Sequence, residues 1–97
     1  MMTKYEVMFI VKPDLEEADM KKIVKDMESV LKNNKAKVLE LKEMGQKELA
    51  YEMNKYKTGY YFLFTIETEN DNATKEFDRL ALINENILRH LIVRVGE

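Results

Sequence analysis

The chain has 97 residues, 45% of them hydrophobic and 35% charged, with one Pro, three Gly and no Cys. That length leaves room for one core, so a single domain over residues 1–97 is expected, and the composition excludes disorder and low-complexity repeats. A formal net charge of −2 supplies no overall positive field for nucleic acid, and the lack of Cys excludes disulfides, thiolate nucleophiles and Cys-ligated zinc.

The first segment, Tyr5 to Val11, alternates: Tyr5, Val7, Phe9 and Val11 share one face and Glu6, Met8 and Ile10 the other, which is strand periodicity. It is too short for a secretory core and runs into Lys12-Pro13-Asp14 rather than a cleavage site. Asp14 and Glu17 have capping-box spacing, and a helix is expected from about Leu15 to Lys32, ended by Asn33-Asn34. Its stripe is Met20, Ile23, Val24, Met27, Val30 and Leu31, with acids early and Lys25 and Lys32 late.

Ala36 to Met53 reads as a long strand interrupted at Gly45, a bulge or sharp bend. Tyr51 is expected to be at least half buried against neighbouring strands. Asn54 to Gly59 is expected as a hairpin loop carrying Lys55 and Lys57, before the aromatic and β-branched strand Tyr60 to Thr68. Asn70-Asp71-Asn72 offers caps for a second helix with Ala73, Phe77, Leu80 and Ala81 as its stripe, ending near Asn84, and Ile87 to Val95 is the last strand. The longest uncharged run, Thr58 to Ile66, falls far short of the roughly 20 residues of a membrane helix, which predicts a soluble cytoplasmic protein with no membrane partner.

Strand, helix, strand, strand, helix, strand is the α+β ferredoxin-like order: a four-stranded antiparallel sheet with two helices on one face. Right-handed crossovers put the first and third strands in the centre. The other face of the sheet is left open, and function is expected there.

Catalytic chemistry has little to build on. His90 is the only His and Ser29 the only Ser, so no nucleophile–base relay is at hand. Carboxylate pairs such as Glu16/Glu17 and Glu40/Glu43 read as solvated surface, and neither a phosphate loop nor metal-ligand spacing occurs. No enzyme activity, metal, cofactor or small-molecule substrate is expected. Charge is uneven: residues 20–37 carry a net of +4 and residues 67–86 a net of −4, which reads first as two solvated helical faces.

Lys4, Lys47, Lys55, Lys57 and Arg89 lie on or beside strands and could gather near Tyr56, Tyr60 and Tyr61. Cations beside aromatics suit RNA, because phosphates need charge and unstacked bases need π faces. If Phe62, Phe64 and Ile66 lie under the helices, then Met8, Ile10, Tyr61, Leu63 and Leu91 form an apolar patch on the open face, fit for a protein partner. In the last strand Arg89 is placed outward, since an unpaired guanidinium under the helices would be costly, and His90 inward.

Gly45-Gln46-Lys47-Glu48-Leu49-Ala50-Tyr51-Glu52-Met53-Asn54 closely resembles the signature of the bacterial small-subunit ribosomal protein number six family, departing from it only at Met53, where the family has Ile. Lys4-Tyr5-Glu6-Val7, Lys12-Pro13, Gly59-Tyr60, Glu76-Phe77-Asp78-Arg79-Leu80 and Asn86-Ile87-Leu88-Arg89-His90 extend the resemblance in order over the whole chain. It implies a non-catalytic, ribosome-associated protein with the ferredoxin-like fold. Such a protein binds central-domain small-subunit rRNA together with the basic ribosomal protein number eighteen. On matching positions it marks Lys4, Lys47 and Arg89 as RNA-side residues. Many relatives carry three basic residues where this chain has Gln46, Lys47 and Glu48, and Glu48 would repel phosphate.

Two other readings use the same fold. An RNA-recognition module would present Tyr60 and Phe62 of Gly59-Tyr60-Tyr61-Phe62-Leu63 to solvent. A metabolite-sensing dimer would pair through an open sheet edge.

Overall fold

The computed structural model describes residues 2–53 and 55–95, with side chains at all of these except Ala50, Tyr51 and Met53. The expected burial of Tyr51 and the loop residue Asn54 therefore lie outside the described residues. The elements are β1 (Thr3–Val11), α1 (Glu17–Asn33), β2 (Lys37–Met53), β3 (Tyr56–Thr68), α2 (Asn72–Ile83) and β4 (Ile87–Arg94). The sheet is antiparallel with strand order β2-β3-β1-β4, so β1 and β3 are central, as the crossover rule required.

Both helices pack on the face carrying Val7, Phe9 and Val11 of β1 and Phe62, Phe64 and Ile66 of β3. Phe9 is the hub of this core. Its ring lies 5.3 Å from that of Phe62 and 5.8 Å from those of Phe64 and Phe77, the last reaching down from α2. Burial of Phe62, 6% exposed, removes the RNA-recognition-module reading, which needed that ring in solvent.

The expected capping box does not form. The cap of α1 is Glu16, with no side-chain bond, and the helix begins two residues after Leu15. Asp14 is engaged elsewhere: its carboxylate accepts the Tyr56 hydroxyl at 2.9 Å and lies 4.0 Å from the Lys12 ammonium. Glu17 and Asp19 in the first turn still favour the positive helix end. At the other end Ala36 N–H donates to Leu31 and Lys35 N–H to Lys32, with Lys35 left-handed at φ 67°, a Schellman stop built without glycine. The cap of α2 is Asp71, again without a side-chain bond.

The hairpin loop is shorter than expected. β3 already begins at Tyr56, so Lys57 is a strand residue, and Lys55 turns the chain at φ 72°. The Tyr56–Asp14 bond ties the base of this hairpin to the β1–α1 turn. It raises the Tyr56 phenol above its ordinary value near 10, with desolvation and the Asp14 charge adding to the hydrogen bond. The fold favours the neutral phenol, so the tie is complete below pH ~10 and fades as pH rises through the raised value. Asp14→Asn is expected to return the Tyr56 titration toward the ordinary phenol range, followed by phenolate absorbance and assigned with Tyr56→Phe.

Candidate nucleic-acid interface

The face away from the helices is defined by register. Its cross-strand rows run Lys37–Glu67–Lys4, then Glu40–Thr65–Glu6–Val93, Lys42–Leu63–Met8–Leu91, Gly45–Tyr61–Ile10–Arg89 and Lys47–Gly59. Arg89 is thus outward and His90 inward, as expected. His90 Nε2 meets Asp78 of α2 at 2.6 Å and its ring lies 6.2 Å from Phe77, so it is a hydrogen-bonded residue at the helix–sheet boundary.

Met8, Tyr61 and Leu63 are half-buried on this face, while Leu91 is 46% and Val93 44% exposed. Ile10 is the correction to the expected patch. It stands on the open face but is only 3% exposed, because Gly59 across the sheet leaves room for its side chain and Leu49 comes over the same spot. A Cβ on Gly59 would lie 2.5 Å from Ile10 Cγ2. Ile10 is a packing residue of this face, and no partner could touch it directly.

The five selected cations do not form one cluster. Lys4 is in the first row, six residues along β1 from Ile10 or about 20 Å, with Glu6 between them. Lys47 and Arg89 are near the other end, and strand alternation adds Lys57 to the face of Gly59 and Tyr61. Lys55 is beyond them at the hairpin turn. The Lys47 ammonium lies 5.9 Å from the centre of the Tyr61 ring, a cation–π contact.

Gly45 explains why Lys47 is on this side. The register shifts between Glu43 and Gly45, so Met44 is an extra residue and the alternation inverts. Gly45 takes φ 82°, which a side chain disfavours. After the bulge Gly45, Lys47 and Leu49 occupy the open side, whereas Gln46 and Glu48 pair with Tyr60 and Thr58 on the opposite side. Gln46 donates to Thr58 Oγ1 at 3.0 Å there. Glu48 therefore does not share the face of Lys47, which removes the repulsion expected from sequence. The sequence alone does not pick out Lys42 or Val93; Lys42 stands opposite Leu63 because of a separate register shift between Val38 and Glu40.

Residues 4–94 match the family model described as Ribosomal protein S6. The chain belongs to the ribosomal protein S6 family. It is a component of the small ribosomal subunit, and family and fold are those of a ribosomal structural protein. The fold is shared with a 30S ribosomal protein S6 from Thermotoga maritima, at 24% identity and a TM-score of 0.93 over 98% of this chain and 89% of that one. Among the described residues no helix is long and apolar enough to cross a membrane, and the family places the chain with the ribosome in the cytoplasm.

The signature residues of this family member thus act through strand parity. Gly45 inverts it, Lys47 uses it to reach the open face, and Leu49 comes over Ile10 beside Gly59. An open groove of about 890 Å³ between α1 and the sheet is lined by Leu15, Met20, Val24, Leu41 and Phe62 among others. It is also lined by the charged residues Glu17, Lys21, Lys22, Lys25, Glu28 and Glu43, and no buried side-chain polar atom among the described residues lacks a partner.

Proposed function

We propose that the chain binds central-domain small-subunit rRNA together with the basic ribosomal protein number eighteen, and that the open sheet face serves both. The supporting observation is the segregation of charge on that face. The apolar row Leu63–Met8–Leu91 is bordered on one side by Glu6 and Glu40 and on the other by Lys47 and Arg89, with Lys57 close by. A basic protein anchored on the apolar row would find carboxylates at one border, while RNA would find cations at the other. Met8, Leu63 and Leu91 are the partner contacts of this reading, and Lys47, Lys57, Arg89 and the outlying Lys55 its RNA contacts. Lys4, at the far end, could reach only a separate phosphate.

The isolated chain is expected to bind rRNA poorly. Lys47, Lys57, Arg89 and the outlying Lys55 together give a slope of log affinity against log salt no steeper than about −4, since each neutralised phosphate contributes roughly 0.9 on a duplex. Adding the basic partner should raise both the affinity and the slope, and Arg89→Ala should weaken the ternary complex without unfolding the domain. Binding titrations over a salt series measure this. Tight, sequence-specific binding by the chain alone at physiological salt would overturn the shared site.

A further inference from the structure

Tyr61 stands on the open face between two unlike neighbours. On one side in its row is Ile10, packed and almost fully buried; on the other is Gly45, where even an added Cβ would meet nothing within 4 Å. The ring is therefore supported on one flank and open on the other. The position of Lys47, 5.9 Å from the ring centre, shows that the ring turns a face rather than an edge toward that ammonium. From the row of Lys42 to that of Lys47 the paired residues of this face include Lys42, Lys47 and Arg89 and no carboxylate. Arg89 is two strands from Tyr61, about 10 Å away by strand spacing, within the span of a nucleotide and a long side chain.

We propose that Tyr61 is a stacking platform for one unpaired nucleobase, with Lys47 moving from the ring to a flanking phosphate of the same strand. Resting on the RNA-binding reading above, this assigns Tyr61 to RNA rather than to the protein partner with which its apolar neighbours would group it. The chemistry asks for single-stranded RNA, because a base inside a duplex offers no free π face. Stacking reads no sequence, so this contact contributes affinity and position, and base identity is left to other groups. The favoured aromatic is not Tyr60 or Phe62, as in the recognition-module reading, since Phe62 is core.

The test uses the full chain with its basic partner and a central-domain rRNA fragment. Tyr61→Phe should bind as wild type. Tyr61→Leu, which keeps the bulk and loses the π face, should lose about 5- to 100-fold in RNA affinity, with partner binding measured without RNA unchanged. Short-wavelength ultraviolet crosslinking of the wild-type complex should place an RNA adduct on Tyr61, located by mass spectrometry of the digested chain. Undiminished RNA affinity in Tyr61→Leu overturns the platform. An equal loss of partner affinity without RNA also overturns it, by making Tyr61 a protein contact. If the wild-type pair does not bind the fragment at all, the RNA-binding reading fails, and the platform with it. Lys47→Gln separates charge from stacking: it should flatten the salt slope by about 0.7 to 0.9 and leave the Tyr61 adduct in place.

Discussion

Phe9→Ala should cost about 3–5 kcal/mol of folding stability, as truncation of a fully buried ring does when the cavity cannot collapse. Phe9 is 0% exposed, and its ring stands between Phe62 and Phe64 of β3 and Phe77 of α2, so removing it leaves three rings without their common neighbour. Those three are held by the sheet and by α2 and cannot all move into the space. A domain of this size holds only about 5–15 kcal/mol in total. The melting temperature should therefore fall by roughly 12 °C or more, at about 4–8 °C per kcal/mol. Urea denaturation followed by circular dichroism should show a lower midpoint at an unchanged slope. A loss below about 1 kcal/mol would mean that the sheet and α2 do not pack through this ring.

Leu63→Glu should leave the fold nearly intact and abolish association with the basic partner. Leu63 is half-buried on the open face between Lys42 of β2 and Met8 of β1, so the new carboxylate has water above it and an ammonium beside it in the free chain. In the complex the same carboxylate would be sealed at the centre of an apolar contact, which costs about 3–5 kcal/mol for an uncompensated buried charge and lowers affinity by at least ~100-fold. Calorimetric titration with the partner reads the affinity, and thermal melting of the free chain reads the fold. Global unfolding would show Leu63 to be core. Undiminished affinity would move the partner elsewhere, for example to Leu82 and Ile83 at the end of α2, which are 71% and 67% exposed.

Periodicity sufficed for the element order, because the two helical stripes and the alternating strands bury the same side chains wherever the elements lie in space. Alternation puts Phe62, Phe64 and Ile66 on one side of β3, which is the side that packs with Phe77 in the core, and the crossover rule orders the strands. The start of α1 was not legible. Asp14 and Glu17 have capping-box spacing, yet Asp14 bonds Tyr56, forty-two residues away, and a local rule cannot see such a competitor. The hairpin failed for a related reason: Tyr56 and Lys57 look like loop beside Asn54, but continued pairing draws them into β3.

What the sequence by itself determined about this protein was its family, its fold and the two sides of β1 and β3, since alternation within an uninterrupted strand settles which residues share a face; in β4 the register shifts past Leu88, so Ile87 is core while Arg89 is on the open face. Only the tertiary structure decided which of Lys47 and Glu48 joins Tyr61. Gly45 marks an interruption in the sequence, a bulge or a bend, but only the pairing with β3 shows that one extra residue at Met44–Gly45 exchanges the two sides of β2 from Gly45 to Glu48. Likewise, only packing removed Ile10 from the exposed patch and Lys4 from the cation group. Burial beside Gly59, and the register that sets Arg89 opposite Ile10 and Lys47 opposite Gly59 at the end of the sheet away from Lys4, are properties of where strands meet, not of the order in which residues are linked.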